Sequence, residues 1–318
     1  MMRVIFMGTP EFAVESLRAI VDAGYVVPLV VTTPDRQKGR GLKTIQSDVK
    51  RFALERGLEV ATPESLKDPG FEQLVRSKSP DVICVVAFRI LPESIFSIPS
   101  RGSFNLHASL LPKYRGAAPI NWALINGETE SGVTTFFLRR TVDTGSMILQ
   151  RRVTIDPETT AGELHDVLMS VGAEAVVETL GLIERDAVEP RIQDDTQATP
   201  APKIFRDDCR IEWDLPAERV HDFIRGLSPH PGAFTHRGGT MVKVLRSRSV
   251  VEAVADQTMT GDASDTHPGA LSSDGRRLFV ECRSSRLEVL IVQPEGRRAM
   301  SAEEYLRGRP VTPGERFE

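Results

Sequence analysis

Cysteine is scarce in this chain. Cys84, Cys209 and Cys282 lie far apart, without a Cys-x-x-Cys pair or a clustered histidine partner. That spacing argues against both a zinc site and a disulfide framework. Cys84, inside an apolar run, reads as core. His221, His230, His236 and His267 are scattered without metal-ligand spacing. No apolar run reaches membrane-spanning length, and Met2 to Met7 is already a buried-strand pattern. No signal segment or membrane partner is therefore expected, and the location expected is cytoplasmic. The formal net charge of -4 excludes a surface coated in basic residues, though not a local basic patch. From Lys203 onward 18 Lys and Arg balance 18 Asp and Glu, so this part is less acidic than what precedes it. The Gly-x-Gly-x-x-Gly dinucleotide fingerprint is missing: Gly8-Thr9-Pro10 departs from it. There is no internal repeat.

What is present is enough for two domains: 318 residues, 40% of them hydrophobic. Arg3 to Met7 reads as a strand. Pro10 suits the first turn of the helix that follows, with Val14, Leu17 and Val21 at helical spacing up to Gly24. Strands at Val26 to Val31, Glu59 to Thr62, Val82 to Ala87 and Ser103 to His107 alternate with helices, which implies a mainly parallel sheet covered on both faces. A long helix is expected from Thr160 to Glu184, burying Leu164, Val167, Leu168, Val171 and Ala175. The stretch 190–205 is rich in Pro, Asp and Thr without apolar periodicity, and it separates a domain over 1–189 from one over 206–318. In the latter, short strands joined by Gly, Asp and Ser turns suggest a small β-barrel. Glu252 to Pro268 reads as a long, polar, mobile connection.

Two stretches carry chemistry. In Ser103 to His107, strand alternation puts Asn105 and His107 on one face. A carboxamide can hydrogen-bond a developing oxyanion, and an imidazole can donate a second bond or move a proton, so the pair suits acyl transfer. A buried strand end with a hydrogen-bonded histidine explains these two residues equally well. Ser109-Leu110-Leu111-Pro112 then breaks the strand and turns outward like a cleft wall. The second stretch, Thr33 to Lys43, places Arg36, Lys38, Arg40 and Lys43 in a Gly-punctuated loop. It fits either a solvated surface loop or an arm that reaches for phosphates.

Asn105-Leu-His107-Ala-Ser-Leu-Leu-Pro112, then Arg115-Gly-Ala-Ala-Pro-Ile120, with Asp143-Thr144-Gly145 downstream, resembles the folate-dependent formyltransferases. Among these it is most similar to the methionyl-tRNA formyltransferases. Ile224 to Ala233 and the Met300 to Gly308 pattern extend the resemblance over nearly the whole chain. The resemblance implies a Rossmann-like catalytic domain followed by an OB-like barrel. The implied reaction moves a formyl group from 10-formyltetrahydrofolate to the α-amino group of methionine on initiator tRNA, by a monomer without a metal. Asn105, His107 and Asp143 would be catalytic, the carboxylate orienting the imidazole and favouring its charged form. Ser109, Leu110, Leu111 and Pro112, with Phe88, Ile90 and Leu91, would line the folate cleft, although Phe88-Arg89 departs from the family's Tyr-Gly form. Arg36, Lys38, Arg40 and Lys43 would reach the acceptor stem. Arg246, Arg248, Arg276, Arg277, Arg297 and Arg298 would either form a basic face toward tRNA or cover apolar surface. Two other functions stay open: formyl transfer to a small amine or to water, and tRNA binding without catalysis.

Overall fold

The computed structural model describes residues 1–38, 43–250, 267–283 and 285–318. In chain order the strands are β1 Arg3–Gly8, β2 Val26–Val31, β3 Arg36–Lys38, β4 Lys43–Ile45, β5 Val60–Ala61, β6 Val82–Val86, β7 Ser103–His107, β8 Arg115–Gly116 and β9 Glu130–Phe137. They continue with β10 Met147–Thr154, β11 Pro200–Ala201, β12 Ala233–Arg237, β13 Thr240–Val250, β14 Leu271–Ser273, β15 Leu278–Glu281, β16 Arg286–Pro294 and β17 Met300–Ser301. The helices are α1 Glu11–Asp22, α2 Asp48–Glu55, α3 Pro69–Ser77, α4 Glu93–Phe96, α5 Pro119–Ile125, α6 Ala161–Glu184, α7 Ala217–Leu227 and α8 Ala302–Gly308.

Two compact units result. The first comprises Met1–Pro119, Glu130–Thr154 and His165–Pro202; the second comprises Ile120–Thr129, Ile155–Leu164 and Lys203–Glu318. Most of the stretch expected to be a separate linker, 190–202, packs within the first unit.

The first unit is built on a seven-stranded sheet in the order β10-β9-β7-β6-β1-β2-β5. The strands β7, β6, β1, β2 and β5 run parallel, and β9 and β10 add antiparallel pairings at one edge. The near-continuous apolar runs follow from burial on both faces. Ile5, Met7, Leu29, Val31, Ile83 and Val85 belong to one core, while their alternates Val4, Phe6, Val30, Val82, Cys84 and Val86 are equally buried. Cys84 is core, as its setting in the sequence implied; burial pushes its thiol far above the usual range. The helices start where local chemistry permits. Ser47 Oγ accepts the Lys50 N–H at α2, and Asp68 accepts the Gly70 N–H at α3 with Pro69 in its first turn. Pro10 stands at the cap of α1 rather than inside its first turn, because its extended ψ of 174° is not helical. The buried side of α1 is Phe12, Ala13, Leu17 and Ile20, with Val14 and Val21 only half-buried. In α6, Leu164, Leu168 and Ala175 are buried as expected, but Val167 is 48% exposed.

Chain order reverses across β1, since β2 lies on one side and β6 on the other. In open sheets of this kind, ligands gather beyond the carboxyl ends of the strands at such a reversal. Gly8, Val31, Val86 and His107 stand at those ends.

The second unit holds a sheet in the order β12-β13-β16-β15-β14, with β17 paired to β16. Val242, Val244, Leu278, Val280, Leu287 and Val289 alternate inward, and Val220, Ile224 and Leu227 of α7 join the same core. The pairings among the described residues define a sheet with β12 and β14 as its outer strands, and they do not by themselves establish the small barrel expected. Most of the connection expected to be long and polar, 251–266, lies outside the described residues.

The chain end is stapled to this sheet. Arg237, fully buried, donates to both carboxylate oxygens of Glu315 at 2.6 and 2.8 Å and to the carbonyls of Arg309 and Pro310. The Arg237 hydrogen bonds hold the Glu315 carboxyl down to about 2. A free glutamate titrates near 4.3, so this contribution to stability is complete above that pH and is lost as pH falls toward 2. Glu315→Ala leaves a buried guanidinium without its counter-charge, which should cost about 3 kcal/mol at pH 7 in urea unfolding. The loss should shrink as pH falls from 4.5 to 2; a pH-independent difference would contradict the pair's role.

Candidate active site

Asn105 and His107 project from one face of β7, as strand alternation requires. Asn105 pairs through its main chain with Val85 on β6 and Phe136 on β9, so its Cα is set from both sides. Its side chain is half-exposed, and no side chain among the described residues pairs with its carboxamide. His107 is only 6% exposed. Its Nε2 lies 2.8 Å from the Tyr114 carbonyl oxygen. A carbonyl only accepts, so Nε2 carries the proton and Nδ1 is the nitrogen left for chemistry. Nδ1 faces the Asp143 carboxylate, with Oδ2 at 3.9 Å. His107 and Asp143 are thus neighbours, and Asn105 shares the strand face of His107. Asp143, however, stands beside the ring without hydrogen-bonding it; the Tyr114 carbonyl orients the imidazole.

Asp143 is held in turn by its own neighbours. Its side chain is 10% exposed, and its Oδ2 accepts the Gly116 N–H at 3.0 Å. Its φ of 56° is left-handed, a conformation that short polar residues such as Asp tolerate. Gly145, two residues on, is demanded by space: a Cβ there would stand 1.6 Å from the Phe137 carbonyl oxygen.

The cleft-wall loop is pinned from beneath. Thr134 Oγ1 donates to the Ser109 carbonyl at 2.7 Å and accepts the Leu111 N–H at 3.2 Å. Gln150 Nε2 donates to the Leu111 carbonyl at 2.8 Å. Ser109 is itself buried, its hydroxyl donating to the Lys113 carbonyl. Leu111 and Leu91 are also buried. Leu110, Pro112 and Phe88 are half-exposed and Ile90 is 74% exposed, so these four can present apolar surface. Thr134 and Gln150 were not among the residues singled out. Both lie on ordinary-looking strands, and only the cross-sheet register brings them to the loop.

The basic arm is a hairpin. The strands β3 and β4 pair antiparallel with Lys38 opposite Lys43, and Asp35 binds Lys50 at 2.7 Å at its base. Arg36 is exposed. Burial, opposed by Glu64 and reinforced by the charge of Arg36, lowers the pKa of Arg89. The arm thus adds to the positive potential of the loop after β6. Arg40 lies in 39–42, outside the described residues. Four of the six arginines proposed for a basic face in the second unit meet carboxylates. Arg246 pairs with Glu163, Arg248 with Glu288, Arg277 with Asp274 and Arg298 with Glu304. Among the described residues no cluster of three or more His, Cys, Asp or Glu could hold a metal, and no helix is long and apolar enough to cross a membrane.

An amide and an imidazole on one strand face, with a carboxylate near the imidazole, at the carboxyl edge of a parallel sheet, are groups that acyl transfer can use. The chain matches the family description Formyl transferase over residues 2–180 and Formyl transferase, C-terminal domain, over 203–310. It is 48% identical over 310 residues to a methionyl-tRNA formyltransferase of Chlorobium luteolum, covering 96% of both chains. It is 44% identical over 318 residues to that of Bacteroides thetaiotaomicron, covering 98% of this chain and 97% of the other. Among solved structures, it shares a fold with an N-formyltransferase from Helicobacter canadensis in complex with folinic acid and dTDP-3-aminofucose. That similarity has a TM-score of 0.65 at 20% identity, covering 92% of this chain and all of the other. The chain is an enzyme of formyl transfer and belongs to the methionyl-tRNA formyltransferase family.

Proposed function

We propose that this enzyme transfers the formyl group of 10-formyltetrahydrofolate to the α-amino group of methionine on initiator tRNA, a cytoplasmic step toward the initiation of translation. The observation that carries this reading is the 44–48% identity, over nearly the full length, to methionyl-tRNA formyltransferases. Exposed Ile90 and half-exposed Phe88, Leu110 and Pro112 offer apolar surface suited to a flat, partly apolar donor such as a folate.

In the reaction a bond forms between the amine nitrogen and the formyl carbon while the carbon–N10 bond breaks. The amine loses a proton and N10 gains one. Charge gathers on the formyl oxygen, where the unengaged Asn105 amide can donate. With Nε2 engaged by Tyr114, a second proton on His107 sits on Nδ1 and can be donated or exchanged there. Asp143, 3.9 Å away, accepts the amine's proton directly or through the ring. The β3–β4 hairpin and the second-unit sheet, the latter read as a small barrel, would bind the tRNA. With Arg246, Arg248, Arg277 and Arg298 already paired, the hairpin carries the larger share of that binding.

Purified enzyme given 10-formyltetrahydrofolate should formylate charged initiator tRNA and leave a small amine acceptor, tested in parallel, unmodified. Formylation of the small amine alone would overturn the tRNA assignment while keeping the formyl-transfer chemistry.

A further inference from the structure

Gln193 lies in the stretch that the sequence marks as linker, yet it is only 6% exposed and every polar atom of its carboxamide is engaged. Its Nε2 donates to the Asp143 carbonyl at 2.8 Å and to the Gly145 carbonyl at 2.8 Å. Its Oε1 accepts from Arg115 Nε at 3.1 Å and Nη2 at 2.7 Å, and Arg115 Nη2 also reaches Asp195 at 2.6 Å. One side chain thus joins the turn that carries Asp143 to the segment that follows His107.

The surrounding main chain makes the same join. Arg191 pairs with Met147 at one end of the segment. At the other, Thr199 accepts the Tyr114 N–H on Oγ1 and the Arg115 N–H on its carbonyl, and β11 pairs with β8. Tyr114 supplies the carbonyl that orients His107, and Gly116 supplies the N–H that holds Asp143. The segment 191–201 therefore straps both halves of the site from outside.

We propose that Gln193 is a positioning residue for the formyl-transfer reaction, holding the Asp143 turn so that its carboxylate stays beside His107 Nδ1. The proposal rests on the reading of Asp143 and His107 as the reacting pair. Gln193 acts through the Asp143 turn, where its Nε2 donates.

The Gly116 amide reports on Asp143 without any assay of activity, because its hydrogen bond ends on that carboxylate. In Gln193→Ala, NMR-detected exchange of the Gly116 amide should speed up by about tenfold or more beyond the change in global unfolding measured on the same variant. The same variant should lower kcat by about 10- to 100-fold with less than a threefold change in either KM, since misplacement of about 1 Å has that order of effect. In an Asp143→Asn background the additional loss should shrink to about twofold or less, because both changes remove one device. Should Gln193→Ala not fold, Gln193→Glu keeps the size and the acceptor for Arg115 while setting a repelling oxygen where the donor to the turn lay, and it should speed Gly116 exchange and lower kcat at least as much. The cycle is measured with whichever acceptor, charged initiator tRNA or small amine, the wild type formylates. An error in the proposed acceptor is thereby separated from an error about Gln193. Unchanged Gly116 exchange, or a kcat loss of equal size in both backgrounds, would overturn the positioning role.

Discussion

Asn105→Ala should lower the formyl-transfer rate by about 10²- to 10³-fold, the usual effect of removing one preorganised oxyanion donor. The strand itself should tolerate the change. The main-chain pairings of Asn105 with Val85 and Phe136 do not depend on its side chain, and that side chain has no partner among the described residues to leave stranded. Stability should therefore hold while kcat falls, which separates a reacting group from a structural one. Asn105→Asp sharpens the test: the shape is kept, but a carboxylate cannot donate to the oxygen, and like charge would repel it. His107→Ala should cost a similar factor and leaves the Tyr114 carbonyl without the ring N–H that now meets it. The double variant should lose far less than the product of the two single losses, as groups acting as one unit do. Single-turnover rates and urea midpoints for the four variants suffice. Near-normal rates in either single variant would remove that residue from the chemistry.

Gly145→Ala should inactivate the enzyme by about 10²-fold or more although Gly145 contributes no functional group. The added methyl would occupy a point 1.6 Å from the Phe137 carbonyl oxygen and 3.1 Å from the Phe136 ring. Backbone cannot yield that distance locally. The turn must move outward, taking Asp143 with it, and about 1 Å of displacement in a reacting group is worth about two orders of magnitude. Thr144→Ala is the control. Its hydroxyl closes only a local bond to the Thr141 carbonyl at 3.0 Å, so the loss should stay within about threefold. Comparable activity of Gly145→Ala and Thr144→Ala would show that the turn is not a precision element. The comparison also explains the third residue of Asp-Thr-Gly by close approach rather than by any contact with substrate.

The parts of this protein that were readable in one dimension share a property: their cause lies within a few residues. Asn105 and His107 share a face because a strand repeats every two residues, and that holds whatever packs around it. The parallel sheet follows from apolar runs too continuous for a one-sided strand. Errors came where a local cue was overruled from elsewhere. Val167 fits the helical spacing of α6 but faces solvent, because the partner surface does not extend over it. The carboxylates that meet Arg246 and Arg248 are distant in sequence, so those ion pairs have no local cue.

By itself the sequence determined the central parallel strands and the long helix, the shared face of Asn105 and His107, and the family, since all three follow from local periodicity or residue identity. Only the tertiary structure decided that the Tyr114 carbonyl orients His107, that Asp143 stands 3.9 Å from Nδ1, and that Gln193 straps the site. Those facts depend on hydrogen bonds closed across long stretches of chain. Nothing in the sequence near Gln193 shows which carbonyls its amide will meet, because the partners are chosen by how the sheet, the turn and the strap come together.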